Sequence, residues 1–399
     1  MEKVYKDKNN CCGCGACKAV CPQKAITMQK DKYGFLYPYI DKRKCINCGL
    51  CEKNCAYSKN NEGDYPIYTY AAQSKSVQEL QKSASGGIAA CIANEFLTGG
   101  GVVCGCVMEF EDGKADVHHL LVEKRDDLWK LQGSKYVQSH IDCYDKMLEL
   151  LKEGRMLLFI GTPCQVAEIR FYFKKYINQL LCIDIVCHGT PSCQMFNDYL
   201  KCKWNQDKIV DFTFREKKYG WGKTGSVKYL RKNNEIKEKK IRCKDSSFYE
   251  LFMESEISRE CCYSCHYTTL KRNGDITLGD YWGVEEFNPE LLKKGGGLLD
   301  EKQGISCVLI NTEKGYDFLK QISDKILVEN IDLNSVLVYN HQLRQPPQHT
   351  NMRETVKKLY VSIGYRSIEG LFLIRKFVWW TKGKCKIIYH KVGKSMRDN

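Results

Sequence analysis

The sequence has no apolar run of about 18 residues, the length a helix needs to cross a bilayer. Its longest greasy stretch, residues 371–380, is broken by Arg375 and Lys376. Residues 1–10 are polar and offer no secretory signal. Zinc-finger and RNA-binding signatures are missing, so nucleic acid is not an expected partner despite a formal charge of +14. Glycines 99–101 precede an apolar segment and do not follow one, which excludes a dinucleotide fingerprint there. These absences lead to the expectation of a cytoplasmic protein. With 399 residues, 43% of them hydrophobic, it has enough chain for two or three domains.

Cysteine, by contrast, is abundant, with 24 residues. A disulfide scaffold would be shorter and would carry an export signal, so reduced thiols point to metal. Cys11, Cys14, Cys17 and Cys21-Pro22 form C-x2-C-x2-C-x3-C-P. Cys45, Cys48, Cys51 and Cys55 repeat the spacing, with Ala56 in place of the proline. Three thiolates on one tight loop can wrap a cubane, and Gly13, Gly15 and Gly49 let the backbone bend toward it. The fourth cysteine is expected to start the next helix and ligate the other cluster, as in two-cluster ferredoxins. One 4Fe-4S cluster therefore takes Cys11, Cys14, Cys17 and Cys55, and a second takes Cys45, Cys48, Cys51 and Cys21. A pair of zinc knuckles is the alternative. Cys12 reads as a spectator thiol.

After a polar linker at 58–66, residues 67–72 read as a strand, 82–97 as a helix and 102–108 as a strand. Ser85, Gly86 and Gly87 open that helix and expose N–H groups that suit a phosphate. Residues 156–160 and 181–186 are apolar strands, each followed by a turn with a threonine N-cap and a proline: Gly161-Thr162-Pro163-Cys164 and Cys187-His188-Gly189-Thr190-Pro191. Alternating strands and helices imply a parallel sheet, with ligands at its carboxyl ends. Residues 211–215 and 227–243 read as antiparallel strands turning at Asn233-Asn234, and 275–278 as a further strand. The fold class is α+β or α/β: a bacterial-type dicluster ferredoxin fold followed by a mixed α/β region.

Several segments together resemble the beta subunit of coenzyme F420 hydrogenases and dehydrogenases. They are Ser85-Gly86-Gly87, Gly133-Ser134-Lys135-Tyr136-Val137, Gly161-Thr162-Pro163-Cys164-Gln165, Val186-Cys187-His188-Gly189, Cys262-x2-Cys265 and Gly279-Asp280-Tyr281-Trp282-Gly283. They span residues 66–310 and fade beyond 320. The plant reductase acting on hydroxymethyl chlorophyll is similar. The resemblance implies FAD and a third 4Fe-4S cluster in this region. The cysteines inside the matching motifs, Cys164, Cys187, Cys262 and Cys265, are its implied ligands. Cys164 or Cys187 as a buried apolar thiol, with Cys261 as substitute ligand, is the alternative. Ser85, Gly86, Gly87, Gly133, Ser134, Lys135, Tyr136, Gly161, Thr162, Gly189 and Asp280 are the candidate flavin contacts. His188 and Lys135 are the candidate catalytic groups, against a structural hydrogen bond for His188 and a solvated loop for Lys135. Other cysteines, including Cys91, Cys104, Cys106 and Cys307, read as buried thiols. His118-His119 sits in a strand without a neighbouring ligand and reads as structural. Three clusters of about −2 each would lower the charge to about +8.

The expected domains are 1–60, a two-cluster ferredoxin domain; 66–150 and 151–325, the two parts of the beta-subunit-like region; and 326–399, a helical basic extension. The expected function is an iron–sulfur flavoprotein oxidoreductase. It would pass electrons from a ferredoxin or other donor through the clusters and FAD to a two-electron acceptor. Bacterial relatives of this kind suggest polysaccharide biosynthesis, hence a small-molecule or glycan-precursor acceptor. Alternatives are an electron-transfer subunit of a larger complex, or a non-catalytic cluster-binding scaffold at a membrane. Residues 371–380, followed by Lys382, Lys384, Lys386, Lys391 and Lys394, suit a peripheral membrane contact or a packed helix with a solvated basic tail.

Overall fold

A computed structural model describes residues 4–59, 63–205 and 207–395, with side chains up to residue 381. Residues 60–62 of the expected linker, and the side chains of Lys382, Lys384, Lys386, Lys391 and Lys394, lie outside the described residues.

The N-terminal unit is built twice on one plan. A cysteine loop ends in a left-handed glycine, Gly15 at φ 87° or Gly49 at φ 71°, and a one-turn helix follows. The helices are α1 (Ala16–Ala19) and α2 (Leu50–Lys53). Between them, β1 (Ile26–Lys30) and β2 (Leu36–Ile40) pair antiparallel, with Ile26 opposite Ile40. Cys17 lies inside α1, so Cys21 follows a helix and does not open one. Its counterpart Cys55 leads into a short 3-10 turn at Ala56–Ser58.

The body is a mixed α/β unit. Strands β3 (Tyr68–Ser74), β4 (Val102–Glu111), β5 (Lys114–Val122), β6 (Leu157–Gly161) and β7 (Leu180–Ile185) come first. Strands β8 (Lys208–Thr213), β9 (Thr224–Leu230) and β10 (Ile236–Arg242) form a separate antiparallel sheet. Strands β11 (Ile276–Asp280), β12 (Ser306–Ile310) and β13 (Ile326–Asn330) return to the first sheet. Its order is β13-β3-β12-β11-β7-β6-β4-β5. Only the centre, β11-β7-β6-β4, is parallel; both flanks are antiparallel. The expected parallel sheet is thus confined to the crossovers through helices, while hairpins and returning strands supply the edges.

Alternation decides which residues meet which helix layer. After β3 the chain forms α3 (Val77–Lys82) and then α4 (Ile88–Thr98). Leu158 of β6 and Leu181 and Ile183 of β7 share a core with α4, through Ile88, Ile92 and Phe96. Leu157 and Phe159, with Leu180 and Cys182, pack on α5 (Tyr144–Lys152) and α6 (Pro163–Tyr172). A third core joins the β8–β10 sheet to α7 (Cys193–Lys203), α8 (Ser247–Met253) and the last helix, Tyr365–Ser395.

Three expectations shift. The helix expected over 82–97 is α4 alone, which opens later, at Gly87 with φ 81°, while Lys82 ends the separate α3. Thr162 caps α6 with Pro163 next, as read, but the N-cap of α7 is Ser192, whose hydroxyl accepts the Met195 N–H at 3.1 Å. Thr190 and Pro191 stay outside the helix: their carbonyls accept from the Arg259 and Gln138 N–H groups, and Pro191 bridges Ser258. The expected C-terminal extension is not wholly helical, since β13 pairs with β3 and carries the sheet beyond residue 325. Among the described residues no helix is long and apolar enough to cross a membrane.

The sheet centre holds a buried ion pair. Arg272 Nη2 donates to Asp184 Oδ1 at 2.8 Å, and Thr277 Oγ1 and the Gly274 N–H donate to the same carboxylate at 2.6 and 2.9 Å. Removing one partner leaves the other charge buried and unpaired, at a cost of about 3–5 kcal/mol. Arg272→Met is therefore expected to lower the urea midpoint of the far-UV circular dichroism transition, and Asp184→Asn to do so less, because the amide keeps part of the network. A midpoint equal to wild type in both variants would contradict this account.

Candidate functional site

Within the N-terminal unit, Cys21, Cys45, Cys48 and Cys51 line one cavity, together with Ile26 and Ile40. Cys11, Cys12, Cys14, Cys17 and Cys55 line a second, together with Tyr57 and Glu168. The fourth cysteine of each run thus faces the loop of the other run. The physical cause is the one-turn helix after each loop, which carries the chain across to the neighbouring cavity. Cys48 is exposed, with Ile46 and Leu50 beside it on the surface.

A third group of thiols lies in the body. Cys164 is near the start of α6, Cys187 follows β7, and Cys262 and Cys265 belong to a 3-10 turn at Glu260–Ser264 and its C-cap. Burial pushes the Cys187 thiol well up, and the neighbouring Cys262, Cys164 and Cys265 add to the effect. Cys265 is likewise pushed up to about 12 by burial and by Cys164 and Cys262. The four expected ligands are therefore together. Cys262 is held lower than its neighbour because Cys261 hydrogen-bonds to it. Cys261 itself is buried on the side of Arg259 and Cys12.

Cys12 lies between two of these groups. Its thiol is within hydrogen-bond reach of both Cys14 and Cys164. The thiols thus form successive groups: the cavity with exposed Cys48, the cavity with Cys11 to Cys17, and, next to Cys12, Cys164 with its half-buried neighbours. Glu168 of α6 braces the junction. Its Oε2 accepts the Ala56 N–H at 2.9 Å, and burial pushes its carboxyl up to about 7. The Tyr57 hydroxyl crosses the same seam and donates to the Cys261 carbonyl at 3.0 Å.

The seam is pinned by Arg259, whose side chain is fully buried. Nε donates to the Cys11 carbonyl at 2.8 Å and Nη2 to the Leu36 carbonyl at 2.9 Å. Nη1 donates to Gln138 Oε1 at 3.3 Å, and Gln138 Nε2 donates in turn to the Cys12 carbonyl at 3.2 Å. The guanidinium lies 3.9 Å from the centroid of the Tyr37 ring. Gly13, at φ 74°, fits beneath: a Cβ there would come within 2.7 Å of Gln138 Nε2 and 2.9 Å of the Leu36 carbonyl.

The expected flavin contacts divide between two places. Thr162 and Gly189 sit at the thiol group: Thr162 Oγ1 is 3.3 Å from Cys164 Sγ, and the Gly189 N–H donates to Cys187 Sγ at 3.4 Å. Gly161 beside them packs on Phe159, whose ring a Cβ would meet at 2.7 Å. Ser85, Ser134, Tyr136 and Asp280 are joined instead by two residues that sequence reading passed over, Arg215 and Lys217. Arg215 forms a bidentate pair with Asp280, at 2.5 and 2.9 Å, and acts on the Tyr136 hydroxyl together with Ser134. Lys217 Nζ donates to the carbonyls of Ser85 and Gln303 at 3.1 and 2.5 Å, and burial pushes it down to about 8. Trp221 donates to Asp280 at 2.8 Å and stacks on Trp282 with ring centroids 4.5 Å apart. The only hint in the sequence was a run of basic residues, Arg215, Lys217 and Lys218, just after a strand.

Other expected groups are engaged elsewhere. The Lys135 ammonium donates to the carbonyls of Gln132, Leu131 and Lys130 at 2.7, 2.9 and 3.4 Å, closing the end of a 3-10 helix. Burial pushes it down to about 8. His188 accepts from Gln342 at Nδ1, 2.8 Å, and its Nε2 lies 3.1 Å from the Met253 carbonyl and 3.1 Å from the Ser255 hydroxyl. Burial lowers its pKa and favours the neutral ring. Gly86 is packed on the sheet: a Cβ would come within 2.4 Å of the Ala72 carbonyl and 2.8 Å of the Ser306 nitrogen. Gly87 caps α4, whose start carries no side-chain cap, and a Cβ on Gly133 would meet open space.

Two family models match parts of the chain. Residues 10–59 match the family model of the 4Fe-4S dicluster domain. Residues 154–335 match the family model for the C terminus of the coenzyme F420 hydrogenase/dehydrogenase beta subunit. Among solved structures, the chain is similar to one in a xenon-derivatised F420-reducing nickel–iron hydrogenase complex from Methanosarcina barkeri. The identity is 13% and the TM-score 0.45, over 77% of this chain and 92% of that one. No curated protein matches the chain.

The seam yields a test. Arg259→Ala leaves the Cys11 and Leu36 carbonyls and Gln138 without their donor, at about 1–3 kcal/mol for each group left buried and unsatisfied. The expected result is a lower melting temperature and faster chelator removal of iron from the N-terminal unit, with Arg259→Lys recovering only part. Iron release at the wild-type rate in Arg259→Ala would show that the guanidinium does not hold the seam.

Proposed function

From a chain that joins a 4Fe-4S dicluster domain to a C-terminal domain of the F420 hydrogenase/dehydrogenase beta-subunit family, we propose an iron–sulfur flavoprotein oxidoreductase with three 4Fe-4S clusters and one FAD. The observation that carries this reading is the succession of three thiol groups, from the cavity of exposed Cys48 to half-buried Cys187. When bound, clusters supply single-electron steps and a flavin joins these to a two-electron exchange.

The residues at hand fit these groups. Cys11, Cys14, Cys17 and Cys55 would hold one cluster, and Cys21, Cys45, Cys48 and Cys51 the outer one. Cys164, Cys187, Cys262 and Cys265 would hold the third, with Cys12 between it and the first. Cys48 gives a ferredoxin or other one-electron donor an exposed point of contact, with Lys44 and Lys53 close by in sequence. For a flavin, the uncapped start of α4 and Lys217 offer donors to a diphosphate, and the Trp221–Trp282 stack offers an aromatic face. Arg215 holds Asp280 and so fixes that face. The acceptor would be a small molecule or a glycan precursor.

One observation favours a peripheral membrane contact beside this activity. The last helix exposes Ile374, Phe377, Trp379 and Trp380, with Trp379 83% exposed. Aromatic and aliphatic side chains on a helix with basic neighbours suit the headgroup boundary.

Anaerobic purification with metal and flavin analysis tests the reading. The wild type is expected to hold about twelve iron and twelve sulfide per chain, with one FAD. Cys164→Ser or Cys262→Ser should lower iron to about eight while sparing the two clusters of the N-terminal unit. Lys217→Ala should release flavin and leave iron unchanged. It is a better probe than any Gly86 variant, because bulk at Gly86 would strike the sheet. An unchanged iron content in both cysteine variants would remove the third cluster. A flavin-free wild type would make the chain a relay or scaffold with its chemistry on a partner.

A further inference from the structure

We propose that Asp116, His118 and His140 form a binding site for a borderline divalent cation of the zinc class, separate from the cysteine ligands. The site goes beyond the electron-transfer reading and does not depend on it.

The argument begins with the backbone. β5 is the edge strand of the large sheet, and Asp116 and His118, two residues apart, lie on one of its faces. His140 is brought to the same place by a parallel bridge with His118. The His119 N–H donates to the His140 carbonyl at 2.9 Å, and the His140 N–H to the Val117 carbonyl at 3.1 Å. Backbone hydrogen bonds therefore fix the spacing of the two imidazoles. One donor atom of each of the three residues lies within 4.8 Å of the others. Asp116 bridges both rings: Oδ2 is 2.9 Å from His118 Nδ1 and Oδ1 is 3.2 Å from His140 Nε2.

The outer nitrogen of each ring has a further carboxylate near it. His140 Nδ1 is buried and has no aligned hydrogen-bond partner, yet Asp142 Oδ2 is 2.7 Å away. His118 Nε2 is 3.7 Å from Glu109 Oε2 on β4. A small turn of the His140 ring would place its Nδ1–H on Asp142 and aim Nε2 at a cation. Such a carboxylate behind a ligating imidazole is the usual means of fixing its tautomer and raising its basicity. Asp142 is itself steadied by Lys18, whose Nζ donates to Oδ1 at 2.9 Å.

Charge and access agree. Three carboxylates surround the two rings, and Lys18 is the cation among these contacts, so the place is acidic in a chain of formal charge +14. The Asp116 side chain is 60% exposed, which leaves an open side for water ligands. Two nitrogens and one oxygen suit zinc and its borderline neighbours, and suit magnesium or calcium poorly. His119, next in sequence, takes no part. It is buried and stacked on Phe159 at 5.1 Å, and burial pushes it down to about 4.

The test uses anaerobically purified protein with its clusters in place, stripped of loose metal by EDTA and dialysed against micromolar Zn2+. The expected result is one zinc per chain beyond the iron, with a zinc-edge X-ray absorption spectrum showing only nitrogen and oxygen ligands. His118→Ala with His140→Ala should abolish that zinc at unchanged iron content. Asp142→Asn should weaken it by about 10–100-fold, as loss of an outer carboxylate does elsewhere. No retained zinc in the wild type would overturn the proposal and leave a plain hydrogen-bonded cluster. Sulfur in the zinc shell, or equal binding by the double variant, would overturn it by placing the ion on cysteines. If the double variant loses iron and so fails to fold, the wild-type spectrum and Asp142→Asn decide.

Discussion

A single buried guanidinium sets the relation between the two halves of the molecule. Arg259 directs its donors to the carbonyls of Cys11 and Leu36 and to Gln138, and its face to Tyr37. A charge so far from water is tolerable only if nearly every N–H finds an acceptor. The side chain thus fixes both the first cysteine loop and the strand beside it against the body. Arg259 immediately precedes the turn that carries Cys261 and Cys262. Whatever positions the guanidinium also positions those thiols, and the line from Cys14 through Cys12 to Cys164 depends on the same contact.

The same pattern recurs at the ends of the central strands. Asp184, in β7, and Asp280, at the end of β11, each meet a buried arginine, Arg272 and Arg215, through more than one hydrogen bond. Such pairs do little for net stability, but they penalise every arrangement that leaves one charge alone. They hold the strand ends in register where Cys187, Trp282 and the tryptophan stack lie. Glu168 is the exception: Oε2 accepts from Ala56, while Oε1 is buried without a hydrogen-bond partner.

Glycine marks the close approaches. Gly13 lies under Arg259 and Gln138, and Gly86 lies against the backbone of β3 and β12. The two look alike in sequence, each beside another glycine or a cysteine. The first serves a domain seam and the second a helix–sheet contact. Ser85-Gly86-Gly87 therefore reads as a phosphate loop in sequence while part of its need for glycine is packing.

The two cysteine runs, their interleaved pairing and the capped start of α6 were legible in the sequence. Each rests on local geometry: loop spacing, a left-handed glycine, a threonine followed by proline. The strands β6 and β7 were legible within a residue or so because short apolar runs between turn signals have few other places to go. What the sequence could not reveal was which distant groups meet. Cys12 looked idle because its partner Cys164 is 152 positions away. Lys135 and His188 looked available because their acceptors and donors, the carbonyls of a 3-10 helix and Gln342, belong to the folded contact map. Arg215, Lys217 and Arg259 drew no notice because a lysine or arginine on paper is a solvated charge, and only burial makes it a fastener. His118 looked solitary until the return of residue 140 to the edge strand supplied its neighbour. Local bonding patterns are written in short stretches of chain, whereas long-range partners are chosen by the packing of the sheet and the cost of leaving a buried charge unpaired, and those are properties of the tertiary structure alone.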